Sequence, residues 1–324
     1  MVVEFLVGSE MRCNVYLTFD CEDFINPRST YMLHYILELL EKYNLRALFF
    51  VTSHMAQKLS HFPEILNLLE SHEIGYHSCS HSVRPTIFEY TDVENYMNAY
   101  HLSITKETAH INPLTGESDG NGGIECLQQL FLNKNIVSFR APGMCWSPPH
   151  LEALVKLGIQ FDFSAYLSTR PVSFKGVTFF PHPIIEDSIN SRDYVLFFGT
   201  LFKRKIVVLN FHPSMFVNSV FWDSIYYNGN PQKLYKVQAR KWEDTKAALL
   251  KFELLLRRLS SLKRRGALEI TNSLEKSKSI LTVTKKLVSR SYQKSIWWAQ
   301  AVFNYEPKYL HLHFIKYFNL QNEA

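Results

Sequence analysis

Short apolar runs that close on a polar or charged residue alternate along this chain with longer stretches of helical period. "NVYLTF" (14–19) stops at Asp20, "RALFFVT" (46–52) follows, and "EIGYH" (73–77) ends on His77. "NIVSF" (135–139) runs into Arg140, "QFDFS" (160–164) carries Asp162, and "KIVVLNF" (205–211) runs into His212. "DYVLFF" (193–198) and "GALEIT" (266–271) are two more strand candidates. Between the strands, 29–44 places Leu33, Ile36, Leu37 and Leu40 on one stripe behind a cap at Ser29 or Thr30, and 62–72 carries Pro63 in its first turn. Further helices are expected over roughly 91–108, 147–158 and about 235–263, with "NPLTGESDGNGG" (112–123) as the clearest loop. Repeated strand-then-helix order dictates a parallel sheet with helices outside it. Seven or eight such units close most economically into an α/β barrel, whose strands open their C-terminal ends on one face.

On that reading Asp20, His77, Arg140, Asp162 and His212 converge on one mouth. In "HSCSH" (77–81), His77 and His81 stand four apart. A helix starting here aims both imidazoles the same way, as two ligands of one divalent ion require. Each residue also has a plainer reading. Asp20 caps the next segment, Arg140 is a structural ion-pair partner, and His212 is a satisfied core histidine before Pro213. Cys21, Cys79 and Cys145 read as small buried residues rather than soft-metal ligands. His34, His54, His61, His72, His101 and His110 read as solvated, on helices or turns, while His182 in "FPHPI" is a candidate for the mouth. Taken singly these residues decide little; five complementary groups at strand ends favour a site.

The 324 residues are 46% hydrophobic and 20% charged, which is globular composition with ample material for a core. No stretch approaches eighteen uncharged apolar residues, so a membrane span is not expected. The apolar start is short, bracketed by Glu4 and Glu10 and without a basic region, so it does not read as a signal peptide. Five cysteines without a CxxC pair argue against a disulfide framework and fit a reducing cytoplasm. Charge is unevenly spread. Residues 276–324 hold eight Lys or Arg against Glu306 and Glu323, a net +6, while 1–275 hold 27 basic and 28 acidic residues, a net −1.

"LTFDCEDF" (17–24), "HSCSH" (77–81), "FRAPG" (139–143), "FDFS" (161–164) and "LNFHP" (209–213) occur in the order and approximate spacing of a known family. The chain resembles the polysaccharide deacetylases, the NodB-homology or carbohydrate esterase family 4 enzymes, over roughly 12–275, up to the closing "LKRRGALEIT". The resemblance implies an α/β fold, a deformed (β/α) barrel of seven strands. It implies one divalent metal, zinc as the first expectation, and hydrolysis of an N-acetyl or related amide. Carried over by motif, Asp20 matches the general base, His77 and His81 the metal ligands, His212 the general acid and Arg140 the residue that orients the catalytic Asp. Asp162 resembles the acidic residue that tunes the acid histidine.

The first motif departs from the family pattern. Two adjacent Asp are usual, base then ligand, but Cys21 fills the second slot and the acids follow as Glu22 and Asp23. On a continuing strand residue 22 points with residue 20, which favours Glu22 as the metal carboxylate, with Asp23 as the alternative if a bulge intervenes. The fourth motif lacks its usual tryptophan and offers only Phe163 and Tyr166.

These readings make 1–275 a deacetylase-like catalytic barrel and 276–324 a basic, aromatic-rich helical extension. The expected activity is metal-dependent removal of an acyl group from an amino sugar or glycan. The alternatives are hydrolysis of a small non-sugar amide, or a glycan-binding barrel without catalysis. No nucleic-acid motif is present. The extension reads either as an extra helix packed on the barrel or as an interfacial helix in peripheral contact with anionic lipid.

Overall fold

In the computed structural model residues 13–165, 167–185, 205–222 and 239–319 are described. Twelve strands lie among them: β1 (Cys13–Cys21), β2 (Leu48–Val51), β3 (Glu73–Tyr76), β4 (Ala109–Ile111), β5 (Ser118–Asn121) and β6 (Ser138–Phe139), then β7 (Phe161–Asp162), β8 (Val172–Phe174), β9 (Val177–Phe179), β10 (Ile184–Ile185), β11 (Ile206–Phe211) and β12 (Leu268–Ile270). The helices are α1 (Pro27–Lys42), α2 (Ser53–Leu59), α3 (Pro63–Leu69), α4 (Ile87–Thr91) and α5 (Tyr96–Thr108), then α6 (Ile124–Leu130), α7 (Pro148–Lys156), α8 (Trp242–Arg264), α9 (Lys285–Phe303) and α10 (Leu310–Tyr317). The main sheet runs β10-β11-β1-β2-β3-β6-β7-β9-β8. Neighbours along it are parallel except β8, which is antiparallel to β9. Residues 14 and 15 of β1 pair with both β11 and β12, and residues 18 and 19 with both β11 and β2. A strand has two edges, so β12 and β2 share one edge of β1, end to end. The result is a deformed (β/α) barrel. Among the described residues its path runs open from β10 to β8 and holds eight strands in the parallel run from β10 to β9, one more than the seven expected, with β8 and β12 added to it.

Both faces of this sheet are buried, and a period of two separates them. In β1, Val15, Leu17, Phe19 and Cys21 pack with Leu33, Ile36, Leu37 and Leu40 of α1. Tyr16 faces the other way, into an aromatic interior shared with Leu48, Phe50, Phe161, Phe163, Phe180 and Val208. There Phe163 stacks on Phe180 at 4.3 Å and the Tyr16 ring meets Phe180 edge-on at 5.1 Å. Thr18 and Asp20 continue the interior row of β1, and Asn210 that of β11. The interior is therefore apolar at the bottom and polar at the C-terminal rim. Curling requires close approach: a Cβ on Gly75 of β3 would sit 2.5 Å from Ser138 Oγ and 2.6 Å from the Phe50 ring. Glycine is what lets β3 lie against its neighbours.

Several boundaries differ from the sequence expectation for local reasons. Helix α1 starts earlier, because Asn26 rather than Ser29 or Thr30 caps it, with Pro27 in the first turn. The expected loop at 112–123 contains β5, which pairs with β4. The strand expected at 193–198 lies outside the described residues. Trp146, fully buried, packs against Phe314, Tyr317 and Phe318 of the C-terminal segment. Asp92 accepts hydrogen bonds from Tyr305 Oη and from the backbone N–H groups of Lys308, Tyr309 and Leu310 at the start of α10.

His54 and His72 are buried rather than solvated. His72 Nδ1 accepts a hydrogen bond from Ala47 N–H at 3.1 Å, so the neutral ring is the one that fits. Burial, then the charges of Arg46 and Lys134, pushes its pKa from 6.5 to about 3. A base whose folded pKa is depressed contributes stability that is complete above pH 6.5 and is lost as pH falls toward 3. His72→Gln keeps an acceptor and removes the titration. Urea unfolding across this range should show a shallower acid loss of stability in the variant than in the parent; equal slopes contradict the assignment.

Candidate active site

Five strand ends deliver the polar rim. Asp20 is the next-to-last residue of β1, Glu22 follows β1, His77 follows β3, Arg140 follows β6, Asp162 ends β7 and His212 follows β11. In sheet order β1 and β6 are three spacings apart, about 14 Å if flat, yet Arg140 Nη1 donates to Asp20 Oδ1 at 2.7 Å. The curl of the sheet brings them together. The same nitrogen reaches Thr18 Oγ1 at 3.0 Å and Asn210 Oδ1, and Asn210 Nδ2 donates to Asp20 Oδ2 at 2.8 Å. Arg140 is fully buried, and its guanidinium carbon lies 4.4 Å from the Phe50 ring centroid. Burial alone would raise the Asp20 carboxyl, but the Arg140 charge, with His77 and His212, holds it well below the usual carboxylate range.

Asp20 thus has Oδ1 fixed by arginine and Oδ2 shared between Asn210 Nδ2 and His212, whose Nε2 is 3.4 Å away. Asn210, which ties both Asp20 and Arg140 in place, was missed in the sequence reading. Its signal is an amide at a buried position of the β-branched run "IVVLNF", in register with His212 two residues on.

Glu22, His77 and His81 form a second buried group whose ligand atoms lie within 4.8 Å of one another. Glu22 Oε2 is 3.0 Å from His81 Nε2 and 3.5 Å from His77 Nε2. No helix positions the histidines. They sit on a loop in which Ser78 and His81 have positive φ, 63° and 55°. Ser78 Oγ accepts from His81 N–H at 3.0 Å, while the Ser78 and Cys79 carbonyls accept from Ser53 and His54 N–H at the start of α2. The loop's own hydrogen bonds replace the helical turn expected there. Burial would raise Glu22, yet His81 and His212 bring its carboxyl down to about 2.

Asp23 points away from this group. Its carboxylate accepts from Ser29 Oγ at 2.5 Å, from the Ile25 and Asn26 N–H groups, and from Asn218 Nδ2. Asp162 accepts from the Ser164 and Ala165 N–H groups and from Ser164 Oγ, and burial lifts its carboxyl to about 6. His212 is not among these partners. Phe163 fills the interior beneath Arg140, at 5.8 Å; Tyr166 lies outside the described residues. His182 is pushed down to about 3 by burial and by the charges of Arg140 and Lys294, which suits a neutral ring rather than a proton donor. Cys21, Cys79 and Cys145 are buried, and burial raises the Cys21 and Cys79 thiols, so neither of these two is a ready thiolate.

Residues 9–161 match the sequence profile of the family described as polysaccharide deacetylase. Similar solved structures include an esterase of carbohydrate esterase family 4 from Streptococcus mutans, at 15% identity over 81% of this chain and 86% of that one, with a TM-score of 0.42. A family 4 carbohydrate esterase from Streptomyces lividans, solved with acetate, gives 14% identity over 81% and 94%, with a TM-score of 0.38. A family 4 pseudoenzyme from Bacillus anthracis gives 11% identity over 81% of this chain and 64% of that one, with a TM-score of 0.37. No curated protein matches the chain.

The Arg140 network makes a stability prediction. Arg140→Met leaves the Asp20 charge buried and unpaired, and should cost about 3–5 kcal/mol in chemical unfolding. Adding Asp20→Leu removes that charge and should recover most of the loss. A double variant no more stable than Arg140→Met alone contradicts the pairing.

Proposed function

We propose that the chain, whose residues 9–161 match the polysaccharide deacetylase family, is a metal-dependent hydrolase that removes an N-acetyl or related acyl group from an amino sugar or glycan. The observation that carries this reading is the pairing of two buried groups at one rim: a Glu–His–His donor set and an ionised carboxylate beside a histidine.

The donor set fits a divalent ion. His77 Nδ1 lies 2.7 Å from the Arg140 carbonyl, which can only accept, so this nitrogen carries the proton and Nε2 carries the lone pair. That Nε2 is buried and makes no hydrogen bond among the described residues. His81 Nδ1 meets Ser82 Oγ at 2.5 Å, which leaves its Nε2 toward Glu22. Donors around a common tetrahedral zinc stand about 3.3 Å apart, close to the 3.0 and 3.5 Å here. Glu22, His77 and His81 would hold the ion, with zinc the natural candidate for one carboxylate and two imidazoles. When bound, such an ion polarises the scissile carbonyl and makes a water acidic enough to attack near neutral pH.

The chain's own groups do the rest. Arg140 and Asn210 orient the Asp20 carboxylate, and Arg140 keeps it ionised, so Oδ2 is ready to receive the proton of the attacking water. Oδ2 itself lies 3.4 Å from His212 Nε2. Transfer along that pair carries the proton to the histidine that protonates the departing amine. Asp162 acts more remotely: it fixes Ser164, whose Oγ accepts from Ala141 N–H and so pins the backbone that follows Arg140.

Two variants test the division of labour. Asp20→Asn should keep its metal and lose turnover on an N-acetylated oligosaccharide, since the base acts without holding the ion; an active Asp20→Asn variant contradicts its role. An amine leaves only when protonated, so His212→Ala should lower kcat on the amide by roughly a hundredfold or more. An activated ester, whose leaving group needs no proton, should lose much less. Equal losses on both substrates remove His212 from the acid role.

A further inference from the structure

The C-terminal helix α9 has two faces that differ in chemistry. Val288, Ser291, Ser295, Ala299 and Phe303 are buried on one. Lys286, Arg290 and Lys294 follow one another at intervals of four on the other, with Trp297 next along the same line. The three cations are exposed, and Trp297 is 61% exposed. An ordinary solvated face mixes charge signs. Here Lys276, Lys278, Lys285, Lys286, Arg290 and Lys294 occur with no Asp or Glu between Glu275 and Glu306. Among the described residues no helix is long and apolar enough to cross a membrane, so any lipid contact through α9 is at the surface.

We propose that the outer face of α9 docks on an anionic membrane surface. Long basic side chains reach headgroup phosphates while their methylene stems lie along the boundary, and an indole is the side chain best suited to that boundary. The inner face of α9 stays packed, so docking needs no unfolding. It also sets the orientation of the site. Cys145 Sγ, in the loop after Arg140, donates to Ser295 O at 3.9 Å, and Phe303 shares a cavity with His81 and Pro142. The helix that touches lipid is therefore also a wall beside the candidate metal loop. On the glycan deacylase reading proposed above, on which this part of the inference rests, glycans carried on a membrane surface are the substrates such an arrangement serves.

The test uses the full chain and vesicles of phosphatidylcholine, either alone or with about a third phosphatidylserine. Co-sedimentation should occur with the anionic vesicles only and weaken as salt is raised. Each basic residue near the surface multiplies partitioning by about fivefold. The triple variant Lys286→Glu, Arg290→Glu, Lys294→Glu should therefore lower it by about a hundredfold or more, with the far-ultraviolet circular dichroism of the folded chain unchanged because all three side chains are exposed. Anionic vesicles should shift tryptophan emission to shorter wavelength, and Trp297→Phe should remove that shift. The proposal is overturned by equal binding to neutral vesicles, by binding that survives the triple variant, or by no binding at all. It is also overturned if the stripe prefers heparin or a homopolymeric RNA while leaving the vesicles unbound.

Discussion

The buried ion pair between Arg140 and Asp20 organises the rim of this barrel: Nη1 makes the side-chain hydrogen bonds of the guanidinium, while Nε and Nη2 are buried without a hydrogen-bond partner among the described residues. Arg140 takes Asp20, Asn210 and Thr18 from two other strands, while its flat face lies over Phe50 above the aromatic interior. The ion pair spans strands that only a curled sheet can bring together, so the charge cluster and the curvature depend on each other. Its backbone is used as well, since the Arg140 carbonyl accepts from His77 and fixes which nitrogen of that ring faces Glu22. One residue therefore sets the ionisation of the candidate base and the tautomer of a candidate ligand. A lysine would supply the charge but not the flat face that lies over Phe50.

Much of this was legible in the sequence because it rests on period and order. Strand ends at Asp20, His77, Arg140, Asp162 and His212 follow from apolar runs that stop on polar residues. The choice of Glu22 over Asp23 as the neighbour of the histidines follows from strand parity, and the structure brings Glu22 to them while Asp23 serves the turn leading into α1.

What could not be read depended on tertiary context. The spacing of His77 and His81 is that of a helical turn, but a loop with two left-handed residues presents them instead. His72 looks like a solvated turn histidine until Ala47 and Phe49 close over it. Asn210 is an unremarked amide in a hydrophobic strand; its importance appears only when Arg140 arrives from a strand some seventy residues earlier. The missing tryptophan of the fourth motif is answered in part by Phe163, which packs with Phe180 beneath the arginine.

The central claim is that Glu22, His77 and His81 hold one divalent ion beside Asp20. Metal analysis of the chain purified without chelators, together with Glu22→Gln and Asp23→Asn, tests it most directly. One ion per chain is predicted for the parent and for Asp23→Asn, with loss in Glu22→Gln. A parent that binds no ion, or an ion retained by Glu22→Gln and lost from Asp23→Asn, contradicts the account.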